Sequence, residues 1–191
     1  MAFPILWLGA AAAATIAGIK YSQQIPVKRG YVQSLPGDSD ILVQPENGAI
    51  VCCGIYNILD HTGIWCDDRI IELNGKGLIR AVSAEKFLAE RSGKKIFIAC
   101  NEYYTPVVTD ATNTRAEALL YQYREYKLLE NNCHSFVWDM IRGDNQQLND
   151  GKVITRFSEL NENLKNLHKC KISWHLLKCS VNKQQRETGP G

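Results

Sequence analysis

The sequence predicts an α+β domain built on an antiparallel sheet, and three observations carry that expectation. Two β-prone runs within Asp60–Leu73 flank Asp67-Asp68, a dipeptide suited to a two-residue hairpin turn. From Cys133 onward, Cys133, Phe136, Val137, Met140 and Ile141 recur at i, i+3, i+4, i+7 and i+8, one apolar stripe at helical period. Around these two segments lie short strand-like and helix-like runs separated by Gly, Asn and Ser, the punctuation of a small mixed fold.

Residues 2–19 carry no charged side chain, and a helix of that length just reaches across a bilayer core. No basic residue precedes the run, as a secretory signal would have, and the polar positions of a buried amphipathic helix are missing. A transmembrane anchor over 1–21 is therefore expected, with Lys20, Lys28 and Arg29 behind it placing the body of the chain in the cytoplasm. Residues 22–44, with Pro26, Gly30, Pro36 and Gly37, read as a connector, and the domain proper is expected over 45–180. Within it Ala49–Cys53 is the first strand, the hairpin follows, and Asn74-Gly75-Lys76-Gly77 turns the chain into Leu78–Val82. Ser83 suits the N-cap of a helix reaching Arg91 and ended by Gly93, and Lys95–Cys100 is a further strand. Thr114-Arg115-Ala116-Glu117 has the form of a capping box, while Asn132 and Gly143 bound the helix that starts at Cys133. Phe157–Lys169 reads as a helix with Leu160, Leu164 and Leu167 on one side, and the polar 181–191 as a disordered tail.

At 191 residues and 45% hydrophobic, the chain can hold one globular core with an appendage. A net charge of +2, with no basic run interleaved with aromatics, gives nucleic-acid binding no support. Seven cysteines without paired spacing argue against both a disulfide framework and a zinc site, and Cys52-Cys53 on a strand would point to opposite faces. The turn chemistry of Asp67-Asp68 accounts for the acidic cluster near Asp60, which lacks the spacing of a calcium loop. No metal and no cofactor are expected.

The chemistry points to Cys133. A thiol in the first turn of a helix meets unpaired N–H groups and the positive end of the helix dipole, which favour thiolate. The hairpin register pairs Cys66 with Arg69 and Trp65 with Ile70, so alternation puts His61, Gly63, Trp65, Ile70, Glu72 and Asn74 on one face. Glu72 is then the diagonal neighbour of His61, with Gly63 leaving space between them. A carboxylate on one imidazole nitrogen fixes the tautomer and frees the other for a thiol, the nucleophile, base and orienting group of a triad. His134 adjoins Cys133, but neighbouring helical residues point ~100° apart, so it is expected at the surface or rim. His168 and His175 have no partner motif. Trp65, Asn132 and Asn74 are the candidates for lining a substrate pocket, with Tyr56 as a further aromatic.

The Asp60–Leu73 hairpin, the Arg115-Ala116 helix and the run Tyr126-Lys127-Leu128-Leu129-Glu130-Asn131-Asn132-Cys133 together resemble the lecithin:retinol acyltransferase-like branch of the permuted papain-like, NlpC-type thiol enzymes. The resemblance covers about residues 45–142 and is most specific at Asn131-Asn132-Cys133. It implies a permuted papain-like domain, with Cys133 as nucleophile, His61 as base and Glu72 in the third, orienting position. The chain departs from the family pattern at Glu72, where a second histidine is common, at His134-Ser135-Phe136, where Glu-His-Phe is common, and at Leu59, often a tyrosine. The implied activity is hydrolysis or acyl transfer on an ester, thioester or amide through an acyl-cysteine, with a membrane lipid as acyl source. The wider superfamily implies an alternative, a cell-wall peptide amidase or peptidase, which requires export of the domain. A catalytically silent interaction protein on the same fold is the alternative from another class.

Overall fold

The computed structural model describes residues 28–55, 59–89, 91–144 and 153–178. The expected anchor over 1–21, Tyr56 and the tail 181–191 lie outside these residues. Among the described residues no helix is long and apolar enough to cross a membrane.

One mixed sheet organises the chain. Its strands are β1 (Val32–Ser34), β2 (Leu42–Val43), β3 (Ile50–Ile55), β4 (Leu59–Cys66), β5 (Arg69–Leu73), β6 (Ile79–Val82), β7 (Phe97–Cys100) and β8 (Ile172–Leu177). They run in the order β1-β8-β7-β3-β4-β5-β6, with β2 also on β8. The central pairings are antiparallel, whereas β1 and β2 join β8 in parallel. Helix α1 (Ala84–Ala89) covers one face, and α2 (Thr112–Ala118), α3 (Cys133–Arg142) and α4 (Phe157–His168) cover the other.

The expected hairpin forms in the expected register, Cys66 opposite Arg69, Trp65 opposite Ile70 and Ile64 opposite Ile71. Asp67 and Asp68 take φ of 44° and 60°, the left-handed pair that a turn matched to strand twist requires. Asn47 fastens the turn, its Oδ1 accepting the Asp67 N–H at 2.9 Å. Alternation then divides the core. Cys52, Ile64, Cys66 and Ile71 face α3, while Val51, Cys53, Trp65 and Ile70 pack with Phe87 of α1. Cys52 and Cys53 do point to opposite faces.

Helix α3 is held at both ends. Asn132 caps its start, and Arg115 from α2 reaches its last turn, donating through Nη2 to the Ile141 carbonyl at 3.0 Å. A guanidinium on the final carbonyls also suits the negative end of the helix dipole.

Three expectations are corrected. Residues 22–44 are not only connector, because Val32 and Val43 are buried and their strands pair with β8. Those pairings join segments more than a hundred residues apart, so local Pro and Gly punctuation could not reveal them. Strand β8 is not among the elements expected from the sequence. Ile172-Ser173-Trp174-His175 alternates apolar with polar residues, the period-two signal of a strand, and Ser173 and His175 are buried along with the apolar face. Finally, α2 starts at Thr112 behind Ala111 in the left-handed region, with no side-chain cap, so Thr114 lies inside the helix rather than capping it.

Candidate functional site

Asn132 fixes where the Cys133 thiol sits. Its backbone is extended, and its Oδ1 accepts the N–H groups of His134 at 2.9 Å and Ser135 at 3.2 Å. Ser135 returns the contact, its Oγ accepting the Asn132 N–H at 2.8 Å. The Asn132 Nδ2 donates to the carbonyls of Leu128 and Thr155, tying the helix start to the preceding loop and to the chain entering α4. Asn132 therefore positions Cys133, and its whole amide is occupied in doing so. Cys133 follows as the first residue of α3, 3% exposed, with Sγ 3.9 Å from the Asp60 carbonyl oxygen.

His61 reaches this thiol from β4. Its Nε2 lies 2.7 Å from Glu72 Oε2, and the Cys133 thiol is its other hydrogen-bond partner. With Nε2 committed to the carboxylate, Nδ1 is the nitrogen left for sulfur. The ring packs on Phe87 at 5.1 Å between centroids. Gly63 makes room for that support, since a Cβ there would meet Ile70 at 2.6 Å and Phe87 at 3.3 Å.

Glu72 is completely buried and takes more than His61. Arg80 Nε donates to Oε1 at 2.8 Å and Arg91 Nη2 to Oε2 at 2.8 Å. Arg91 is in turn anchored on Phe87, lying over its ring and donating to its carbonyl. Burial pushes the Glu72 carboxyl up, but the hydrogen bond and charge of His61, with Arg91 and Arg80, outweigh it and hold the group at about 2. Two guanidiniums against one carboxylate leave an excess positive charge behind the imidazole, and a thiolate at Cys133 offsets it.

The thiol titrates accordingly. Burial alone would push Cys133 up. The charges of His134 and His61, the hydrogen bond from His61 and the Thr62 N–H bring it down to about 5. Burial would lower His61, yet the thiolate beside it and the bonds to Cys133 and Glu72 raise it above its ordinary value. The pair therefore favours thiolate with imidazolium. Burial pushes Cys53, Cys66 and Cys100 up to about 12 and raises Cys52 and Cys170 as well.

Several participants were not expected. Burial, then the charge and hydrogen bond of Cys133, push the Tyr126 hydroxyl up, so it stays protonated against the sulfur, where it also takes the Cys133 N–H. Tyr126 is the first residue of the run ending in Cys133, and its spacing alone carried no role. Arg80 stands directly across from Glu72 on β6, a pairing the turn at Asn74–Gly77 could have suggested. Arg91 comes from beyond α1 and left no local signal. Burial and the Cys133 thiolate push the Asp60 carboxyl up to about 6.

His134 corrects the expectation of a rim residue. It is buried, its Nδ1 3.1 Å from Thr62 Oγ1 and its ring 5.8 Å from that of Phe157. The physical reason is that α3 lies between the sheet and the start of α4, so residues outside its apolar stripe are covered too. The imidazole that hydrogen-bonds the Cys133 thiol is that of His61. Trp65 packs in the core on the α1 side, and Asn74 is buried, its Oδ1 accepting the N–H groups of Lys76 and Leu78 to brace the turn before β6. Neither lines the groove beside Asp60.

No protein-family model, curated protein or solved structure matches the chain.

Proposed function

We propose that the protein is a cysteine-dependent hydrolase or acyltransferase of papain-like type that acts on an ester, thioester or amide through a covalent acyl-cysteine. The observation that carries this reading is the buried line Glu72, His61, Cys133, in which sulfur is held at about 5 beside an imidazole fixed by a carboxylate. Ion-pair thiolates of this kind are nucleophiles rather than packing residues.

In the first half-reaction the Cys133 sulfur attacks the acyl carbonyl, forming a carbon–sulfur bond as the carbonyl π electrons move to oxygen. The Tyr126 hydroxyl is the donor at the sulfur for that oxyanion, since the cap consumes the N–H groups of His134 and Ser135 and Tyr126 itself takes the Cys133 N–H. Collapse breaks the bond to the leaving group, which departs with the proton of the His61 imidazolium. Neutral His61 then takes a proton from water or an acceptor alcohol or amine, whose attack on the thioester returns the thiolate and imidazolium. Glu72 keeps the imidazole oriented throughout, and no cofactor enters either step.

The likeness to the lecithin:retinol acyltransferase-like enzymes supports a lipid acyl donor. The apolar run 2–19 supports a single-pass anchor that holds a cytoplasmic domain at the membrane. The reading is tested with a nitrophenyl acyl ester. A burst of nitrophenolate equal to the protein concentration is expected, lost in Cys133→Ser and in His61→Ala. Turnover of a cell-wall peptide with no burst from the ester would favour the amidase instead.

A further inference from the structure

We infer that the groove beginning at Asp60 is the subsite for the acyl chain of the donor, and that Gly54 is the residue deciding which chains enter it; this rests on the acyl-cysteine reading above. The groove encloses about 430 Å³; Leu35, Phe97 and Phe157 give it apolar walls, with Asp60, Lys94 and Lys95 as the charged residues of its lining. That volume lies within the range of small-ligand sites, and apolar walls suit a hydrocarbon chain rather than a peptide backbone. Asp60 joins it to the thiol, lining the groove while its carbonyl lies 3.9 Å from the Cys133 sulfur. Phe157 ties it to the same place through its contact with the His134 ring.

Two glycines meet in this groove for different reasons. At Gly93 a Cβ would lie 2.7 Å from the Gly54 oxygen, and its N–H donates to that oxygen at 2.9 Å, so backbone approach demands glycine. At Gly54 neither constraint applies. Its backbone lies outside the left-handed region, and among the described residues a Cβ there would meet nothing within 4 Å. Glycine inside a strand such as β3 weakens it without helping to pack, so its presence there answers to the open space it leaves. A side chain at 54 would stand in the groove and shorten it while leaving Cys133, His61 and Glu72 in place.

The test compares p-nitrophenyl acetate with p-nitrophenyl decanoate on the full chain and on Gly54→Ala and Gly54→Leu, with iodoacetamide labelling of Cys133 alongside. In Gly54→Leu the acylation rate with decanoate is expected to fall about tenfold or more, as the burial of a few methylenes is lost. Acetate acylation and alkylation should stay within about twofold, and Gly54→Ala should lie between the two proteins. Thermal unfolding of each variant reports that the fold is kept. If acetate and decanoate rates fall together, or neither falls, Gly54 does not set the chain and the subsite is overturned. If the unsubstituted protein is alkylated at Cys133 yet acylated by neither ester, the acyl-cysteine reading itself fails and takes the subsite with it.

Discussion

Replacing Glu72 with glutamine changes one oxygen into an NH2 group at the point where His61, Arg80 and Arg91 converge. The carboxylate accepts from all three at 2.7 to 2.8 Å. An amide has only one acceptor oxygen, so its NH2 must face either a guanidinium or the imidazole. Facing His61, it would draw the ring proton onto Nδ1 and leave no base toward sulfur; facing Arg80, it would set donor against donor. Removing one partner from a buried ion pair costs about 3–5 kcal/mol, which for a domain of this size lowers the melting temperature by about 10 °C. The kinetic effect is separate. An orienting carboxylate lost in this way costs up to about 10⁴-fold in turnover. Because the Glu72 hydrogen bond is among the causes that raise His61, the upper limb of the pH profile should also move to lower pH. The assay is kcat/KM on an activated acyl ester against pH, for Glu72→Gln, His61→Ala and the double variant. Once His61 is absent, Glu72→Gln should add almost nothing, since groups that work as a unit are non-additive. An unchanged upper limb, or fully additive losses, would refute the orienting role.

Three further outcomes follow from the titrations and the sheet. Iodoacetamide labelling of Cys133 should rise as pH passes through about 5 and lead every other described cysteine at pH 6.5, because burial raises those thiols; peptide mass spectrometry finding Cys66 or Cys53 labelled first would contradict it. Glu72 is depressed from 4.5 to about 2, so its stabilisation is fully present above pH 4.5 and is lost as pH falls toward 2, about 3 kcal/mol in all. Urea midpoints measured from pH 5 to pH 2 should therefore fall further in the unsubstituted protein than in Glu72→Gln, and parallel curves would exclude the assignment. A truncation starting at residue 28 should unfold cooperatively, whereas one starting at 45 should melt lower for want of β1 and β2, whose Val32 and Val43 are buried; equal melting temperatures would make those strands dispensable.

What the sequence makes readable is what depends on near neighbours. The Asp67-Asp68 turn specified its register, and that register alone was enough to put Glu72 within reach of His61. Asn132 before an apolar stripe likewise announced the start of α3, and with it the place of Cys133 in the first turn. Contacts closed by distant chain were not readable. Strand β8 borrows its partners from β7 and from the segment ahead of residue 45, so neither its own pattern nor theirs announces the pairing. Arg91 joins Glu72 only because α1 folds back over β5, and His134 is covered only because α4 crosses α3. Tyr126 shows the intermediate case, visible as a spacing but without meaning until the loop to Asn132 brings its hydroxyl to the sulfur.

Quenching the full chain in acid during reaction with an acyl ester, then mapping the peptides by mass spectrometry, locates the covalent intermediate. The expected result is one acyl group on Cys133, removed by hydroxylamine as a thioester is, and absent from both Cys133→Ser and His61→Ala. Acyl groups on another residue, or labelling of Cys133 that persists unchanged without His61, would contradict the pairing of thiol and imidazole on which the reading stands.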